Sequence, residues 1–218
     1  GRIFQLARAT SKTLAEKQAL IHLFDEDLQQ IVTRAGWDGA TIRNTNDRIE
    51  VVDSNIGWSK VDRNIKRSLE YDVELKRSGP STGTVTVRYE NLSNENASTC
   101  DSQRMERGAS YEELKNACYW NLLRIYTAEG ALLRAATQLP LPENSVIAEL
   151  GLATTGDDTV SVGVGPAGSF VTGLLVVPAG EVVETSFVLA LPETVIDWTD
   201  DISTYSLSLI AQPGALGR

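Results

Sequence analysis

The side chains best suited to chemistry gather between residues 53 and 67. Asp53, Asn55 and Asp62 carry oxygen donors close together in the chain, a set that could hold a hard cation loosely. Lys60, Arg63, Lys66 and Arg67 form a local basic strip of the kind that holds a phosphate or a sugar acid. Asp53, Asn55, Lys60, Asp62 and Arg63 make up the candidate binding set. The run Asp53-Ser54-Asn55 opens like a calcium loop, but Gly57 stands where a third oxygen ligand is needed and no Glu closes the loop, which excludes an EF-hand. A plainer use of the same residues is preferred: Asp and Asn side chains tie a loop to its own backbone. Asp53, Asp62, Glu70 and Asp72 neutralise the basic strip into a salt-bridged surface.

The remaining candidates carry less. The one histidine, His22, lies in the apolar run Leu20 to Phe24 with no nucleophile or orienting carboxylate beside it, so it reads as structural. Asp197, Asp200 and Asp201 surround Trp198 in one short loop, where they cannot stand on opposite sides of a sugar ring. Gly163, Gly165 and Gly168 are superficially like a nucleotide-binding loop, but a proline interrupts them and no helical pattern follows, so they read as a β-turn. No cofactor and no metal ligand set is legible, and no catalytic residue is assigned. Asn91-Leu92-Ser93 and Asn96-Ala97-Ser98 have the form of glycosylation acceptors and mark an exposed loop. Trp37, Trp58, Trp120 and Trp198 are possible sugar-stacking residues, although Trp120, beside Tyr119, suits the core.

Charge and cysteine content narrow the partners. Twenty Lys and Arg against 29 Asp and Glu give a net charge of −9, which offers no sequence-wide attraction for nucleic acid or anionic lipid. No apolar run is long enough to span a bilayer, and the opening residues do not read as a signal peptide. Cys100 and Cys118 either close a disulfide or remain two free buried thiols, and two ligands without supporting His or Cys do not make a zinc site.

Periodicity supplies the elements that must position these groups. Residues 2 to 17 carry a helix-like apolar face broken around Thr10-Ser11, which reads as one helix or a pair of turns, and Ala19 to Phe24 suits a short buried strand. Asp25, then acidic residues, then Arg34 and Gly36 frame a second helix. Arg48 to Ser54 reads as a strand. Leu69, Tyr71, Val73 and Leu75, then Val85, Val87 and Tyr89, alternate on either side of a flexible turn and predict a long hairpin. After a polar excursion at 90–117, with one helical turn at Tyr111 to Lys115, strand-like runs recur at Cys118 to Tyr126, Ala131 to Ala135, Ser145 to Leu152, Thr159 to Val164, Phe170 to Val177, Val182 to Leu191 and Thr204 to Ala211. The expected fold is α+β: a short mixed helix and strand segment at 1–66, the end of a larger α/β domain, followed by an antiparallel β-sandwich at 67–218. The last strand-like run suggests an open edge that another chain or a second copy could pair with.

Three stretches carry a family resemblance. They are Glu16 to Phe24 running on to Gly36-Trp37-Asp38-Gly39, then Val51 to Lys60 with Arg67 to Val73, and Cys118 to Tyr126. In this order they resemble the C-terminal half of the DUF4012 family, bacterial proteins without an established activity, and Leu207 to Gly214 is similar to the family's late strand and turn. The resemblance implies an N-terminal membrane anchor and an extracytoplasmic domain ahead of residue 1. It implies an envelope location linked to surface polysaccharide, with an envelope protein or a glycan as partner. Outside the cytoplasm, Cys100 and Cys118 would form a disulfide. The function expected on this basis is a non-catalytic structural or binding module. The alternative is an accessory part of a polysaccharide or phosphoglycan transferase whose catalytic region lies elsewhere.

Overall fold

The computed structural model describes residues 1–40, 46–94, 100, 110–137, 141, 160–165, 168–199, 202–210 and 212. The fold is α+β, with helices mostly near the start of the chain and two facing sheets carrying the rest.

Helix α1 spans Arg2–Ala15 and buries only Leu14. Helix α2 spans Glu26–Arg34, where local chemistry dictates both ends. The Asp25 side chain accepts from the Leu28 N–H at 3.0 Å, Glu26 and Asp27 complement the positive end of the helix dipole, and Arg34 sits at the negative end. Gly36, at φ +70°, then turns the chain out of the helix. Between the helices, residues 19–24 do not form the expected strand. Backbone bonding here runs from the Ile21 N–H to the Trp37 carbonyl and from the Leu23 N–H to the Gln29 side chain, with no neighbouring strand among the described residues, and Phe24 is 97% exposed. An apolar run without a partner strand gains neither a ladder nor a buried face. His22 is exposed and meets Phe24 edge to face at 5.6 Å.

Strand β1 (Asp47–Asn55) lies inside a five-stranded sheet with β4 (Tyr119–Tyr126), β6 (Val160–Gly165), β7 (Gly168–Val177) and β11 (Leu207–Ile210), in the order β11-β1-β4-β7-β6. The strand layer therefore begins at Asp47, ahead of the 66/67 boundary. Within this sheet β1 and β11 run parallel and the other pairs antiparallel. The second sheet is β2 (Ile65–Glu74), β3 (Ser81–Asn91), β8 (Val182–Leu191) and β5 (Leu132–Ala136), ordered β2-β3-β8-β5. A small ladder joins β9 (Ile196–Trp198) to β10 (Ser203–Tyr205), so the last strand-like run divides at Ser206 into β10 and β11. The ladder of β6 and β7 runs up to Gly165 opposite Gly168, which makes the glycine-rich stretch a hairpin. The expected strand at Ser145 to Leu152 lies outside the described residues.

The core sits between the two large sheets. Val85, Val87 and Tyr89 of β3 face Leu123 and Ile125 of β4 and Val171 and Leu175 of β7, with Phe187 and Leu189 of β8 beside them. The predicted hairpin is β2–β3, and its alternation is the reason those three β3 residues are fully buried. Behind the five-stranded sheet, Trp120, Val176 and Leu141 form a second apolar cluster around Cys118. Cys118 is bonded to Cys100, with Cα atoms 5.4 Å apart. The helical turn at Tyr111–Lys115, α3, has a full capping box between Ser110 and Glu113. No helix among the described residues is long and apolar enough to cross a membrane.

Candidate functional site

The inward face of β1 reads Asp47, Ile49, Val51, Asp53, an apolar pair bracketed by two carboxylates. Each carboxylate meets donors from the opposite sheet. Asp53 Oδ1 accepts from the Tyr89 hydroxyl at 2.6 Å and from Asn121 Nδ2 at 2.7 Å, while Oδ2 takes the Arg67 guanidinium. Tyr89 and Arg67 belong to β3 and β2, so the carboxylate bridges the two sheets. Asn121 is oriented in turn by accepting the Ser54 N–H at 3.1 Å. The Gln212 side chain clips the Asp53 backbone, accepting its N–H and donating to its carbonyl, both at 3.0 Å, which prolongs the β1–β11 pairing by one amide.

Asp47 repeats the arrangement at the other end of β1. Its Oδ2 accepts the hydroxyls of Tyr71 on β2 and Tyr205 on β10, both at 2.6 Å, and Oδ1 accepts the Arg48 N–H at 2.8 Å. Burial pushes the Tyr71, Tyr89, Tyr119 and Tyr205 hydroxyls well above the usual tyrosine range, and the Asp47 carboxylate adds to the effect on Tyr71 and Tyr205. These hydroxyls stay protonated in the folded state. Those of Tyr71, Tyr89 and Tyr205 donate to carboxylates, and all four lack the ionised form a nucleophile or base requires. On the reverse face of β1, Arg48 and Glu50 are buried as an ion pair, with the guanidinium 5.5 Å from the centre of the Tyr126 ring.

Of the five candidate binding residues, Asn55 and Asp62 meet. Asn55 donates to Asp62 at 2.6 Å and to the Ser59 carbonyl at 3.2 Å, and its Oδ1 accepts the Gly57 N–H at 3.0 Å. The loop-tying role anticipated for Asp and Asn is therefore what Asn55 performs, and it turns an N–H toward Asp62 where a cation would need an oxygen. Asp53 faces the core instead. Arg63 donates to the Tyr111 hydroxyl at 3.1 Å, and the exposed Lys60 contributes its backbone N–H to the Leu114 carbonyl at 2.8 Å. Of the basic strip, Arg67 pairs with Asp53 and Lys66 with Glu90.

No protein-family model, curated protein or solved structure matches the chain.

Asn91 corrects another expectation. It is 1% exposed, and its Nδ2 donates to the carbonyls of Ala117 at 2.8 Å and Val177 at 3.1 Å, so this acceptor lies in the packed end of β3. Asn96 lies outside the described residues, as do Asp200 and Asp201. Trp198 packs under Arg77, with the guanidinium 5.2 Å from its ring centre, and Trp120 is core. A shallow depression of about 540 Å³ at the end of β3 is lined by Glu90 to Asn94, Gly180 and Val182. Of these, Asn91 is already bonded to backbone.

Sequence reasoning did not connect Asp47, Tyr71, Tyr89, Asn121 and Tyr205. The available signal was parity. Asp47 and Asp53 fall in step with Ile49 and Val51, on the face a sandwich must bury, and a carboxylate on such a face requires donors from the other sheet.

Proposed function

We propose that this chain is a non-catalytic structural or binding module of a bacterial extracytoplasmic envelope protein, linked to surface polysaccharide. The observation that carries the first part is the engagement of Asp53. Three donors converge on this carboxylate, Tyr89, Asn121 and Arg67, and the first and last of them tie one sheet to the other. Asp47 is held likewise by Tyr71 and Tyr205. Polar groups arranged this way stiffen a sandwich and set how its sheets sit on each other. The Cys100–Cys118 disulfide supports the location, because such bonds persist outside the reducing cytoplasm. The resemblance to the DUF4012 family agrees with both parts.

The location is tested by trapping thiols with a maleimide in intact bacteria that make the full-length protein. The expectation is no labelling of Cys100 or Cys118 until a reductant is added; thiols free without reductant would overturn the location. The binding role is tested by screening the purified module against fractionated envelope polysaccharide, with an unrelated sandwich protein as control. Turnover of the polysaccharide by the module alone would overturn the non-catalytic reading.

A further inference from the structure

Strand β2 is a long sheet edge whose bonding direction can be read from its start. The Asn64 carbonyl accepts the Leu92 N–H at 2.8 Å, directed toward β3. Backbone groups alternate in direction along an antiparallel strand, so the even-numbered residues of β2 bond β3. Ile65, Arg67, Leu69, Tyr71 and Val73 therefore turn their N–H and carbonyl groups to the open side. The Asn91 N–H, bonded to Glu181 across β8, gives the same parity on β3. Among the described residues no strand pairs with this edge. The opposite edge of that sheet, β5, is half the length and irregular between Leu133 and Ala135.

The sandwich is also open on this side. Asp47 and Asp53 of β1 meet Tyr71 and Arg67 of β2, so β2 and the neighbouring edge strand β11 flank one seam between the sheets. Leu207 and Leu209 of β11 pair with Asp47 and Ile49 and share their inward face, yet they are 42% and 66% exposed. Leu69, on the inward face of β2, is 37% exposed. Core-facing leucines on both sheets thus reach solvent along a seam bordered by backbone that pairs with no strand among the described residues.

We propose that this seam takes a second copy of the same chain, with β2 pairing antiparallel to the β2 of that copy about a two-fold axis at Leu69. Charge selects the occupant and the register. With Leu69 opposite Leu69, Arg67 stands opposite Tyr71 and Ile65 opposite Val73, so every outward-turned residue finds a bonding partner. On the solvent face, Lys66 falls opposite Asp72 twice, once on each side of the axis. Moving the axis to Glu70 sets Glu70 against Glu70, and moving it to Tyr71 sets Glu70 against Asp72; like charges directly opposite are destabilising. An axis at Ser68 pairs Lys66 with Glu70 but leaves Asp72, Val73 and Glu74 outside the ladder, where the axis at Leu69 leaves out Glu74 alone. Charged residues commonly guard edge strands against indiscriminate pairing. Here they disfavour the axes at Glu70 and Tyr71, the shorter ladder disfavours the axis at Ser68, and the register that remains closes on itself as a dimer. This inference stands independently of the module reading.

Sedimentation equilibrium of the purified chain over a wide concentration series tests it. The expected result is a reversible shift from the mass of one chain to twice that mass. Lys66→Asp and Asp72→Lys each place like charges opposite at two positions, and each variant alone is expected to stay monomeric, with circular dichroism confirming that it is folded. Mixing the two restores both opposite-charge pairs, so an equimolar mixture is expected to form a one-to-one dimer. A parent chain that stays monomeric throughout would overturn the proposal and leave the edge to a different protein's strand. A dimer that persists unchanged in either variant, or a mixture that fails to associate, would overturn it equally.

Discussion

Replacing Asp53 by alanine removes the acceptor shared by Tyr89, Asn121 and Arg67. The Tyr89 and Asn121 side chains are fully buried, so water cannot take the place of the carboxylate without opening the core. Leaving a buried donor unpaired costs about 1–3 kcal/mol. Arg67 is partly exposed and regains water, so its loss adds at most about 1 kcal/mol. The expected destabilisation for Asp53→Ala is on the order of 4 kcal/mol. Asp53→Asn retains one acceptor oxygen and the side-chain volume, and should cost about 1–2 kcal/mol. Tyr89→Phe leaves the carboxylate its other two donors and should cost about 1 kcal/mol, with a coupling energy to Asp53→Asn above about 0.5 kcal/mol. Urea unfolding followed by tryptophan fluorescence gives these values, and unchanged slopes would show that the denatured state is comparable. An Asp53→Ala midpoint equivalent to less than about 0.5 kcal/mol, the range of an ordinary surface change, would refute the bridging role.

Three further outcomes are expected. Folded-state tyrosine pKa values lie above the unfolded value of about 10, so the contribution of these hydroxyls is complete below pH ~10 and declines above it. The loss for Tyr89 and Tyr119 should approach about 1.4 kcal/mol per pH unit each, with less from Tyr71 and Tyr205 nearer solvent; absorbance at the tyrosinate band should show these four of the six tyrosines ionising only on unfolding. Reducing the Cys100–Cys118 bond, whose cysteines are 18 positions apart, should cost about 3 kcal/mol and lower Tm by about 6–12 °C, measured by calorimetry with and without reductant. Gly83→Ala should destabilise by about 1–3 kcal/mol, because the added Cβ would overlap the Tyr71 hydroxyl that Asp47 holds; in a Tyr71→Phe background, unfolding titrations should find the penalty reduced.

The elements that were legible in the sequence are those whose signal is local. The β2–β3 hairpin alternates at period two around a turn, and α2 carries its cap, its dipole charges and its terminating glycine within its own stretch. Ala19 to Phe24 misleads because hydrophobicity specifies burial only when a neighbouring strand exists, and the backbone partner there is Trp37. The two hubs of β1 were hidden for the opposite reason. Asp53 is a local feature of its loop in sequence, but Tyr89 and Asn121 are 36 and 68 positions away, and nothing in composition links them. The edge expected near the C-terminus is β11, which docks parallel to β1 at the rim of its sheet, but nothing local in the sequence marked β2 as the longer edge.

The position of Asn91 bears on how this protein can be made. Its amide clasps carbonyls at Ala117 and Val177, residues that emerge from the ribosome only after it. In a eukaryotic secretory host, Asn91-Leu92-Ser93 would reach the glycosylation machinery as an unfolded acceptor, before either carbonyl existed to claim the nitrogen. A glycan attached there would occupy the nitrogen that joins β3 to the ends of β4 and β7. Ser93→Ala abolishes the acceptor and leaves the Asn91 amide intact, at the cost of long contacts to Asn64 and Lys115. Bacterial export, where this motif goes unread, leaves the Asn91 nitrogen free to meet Ala117 and Val177 when they arrive.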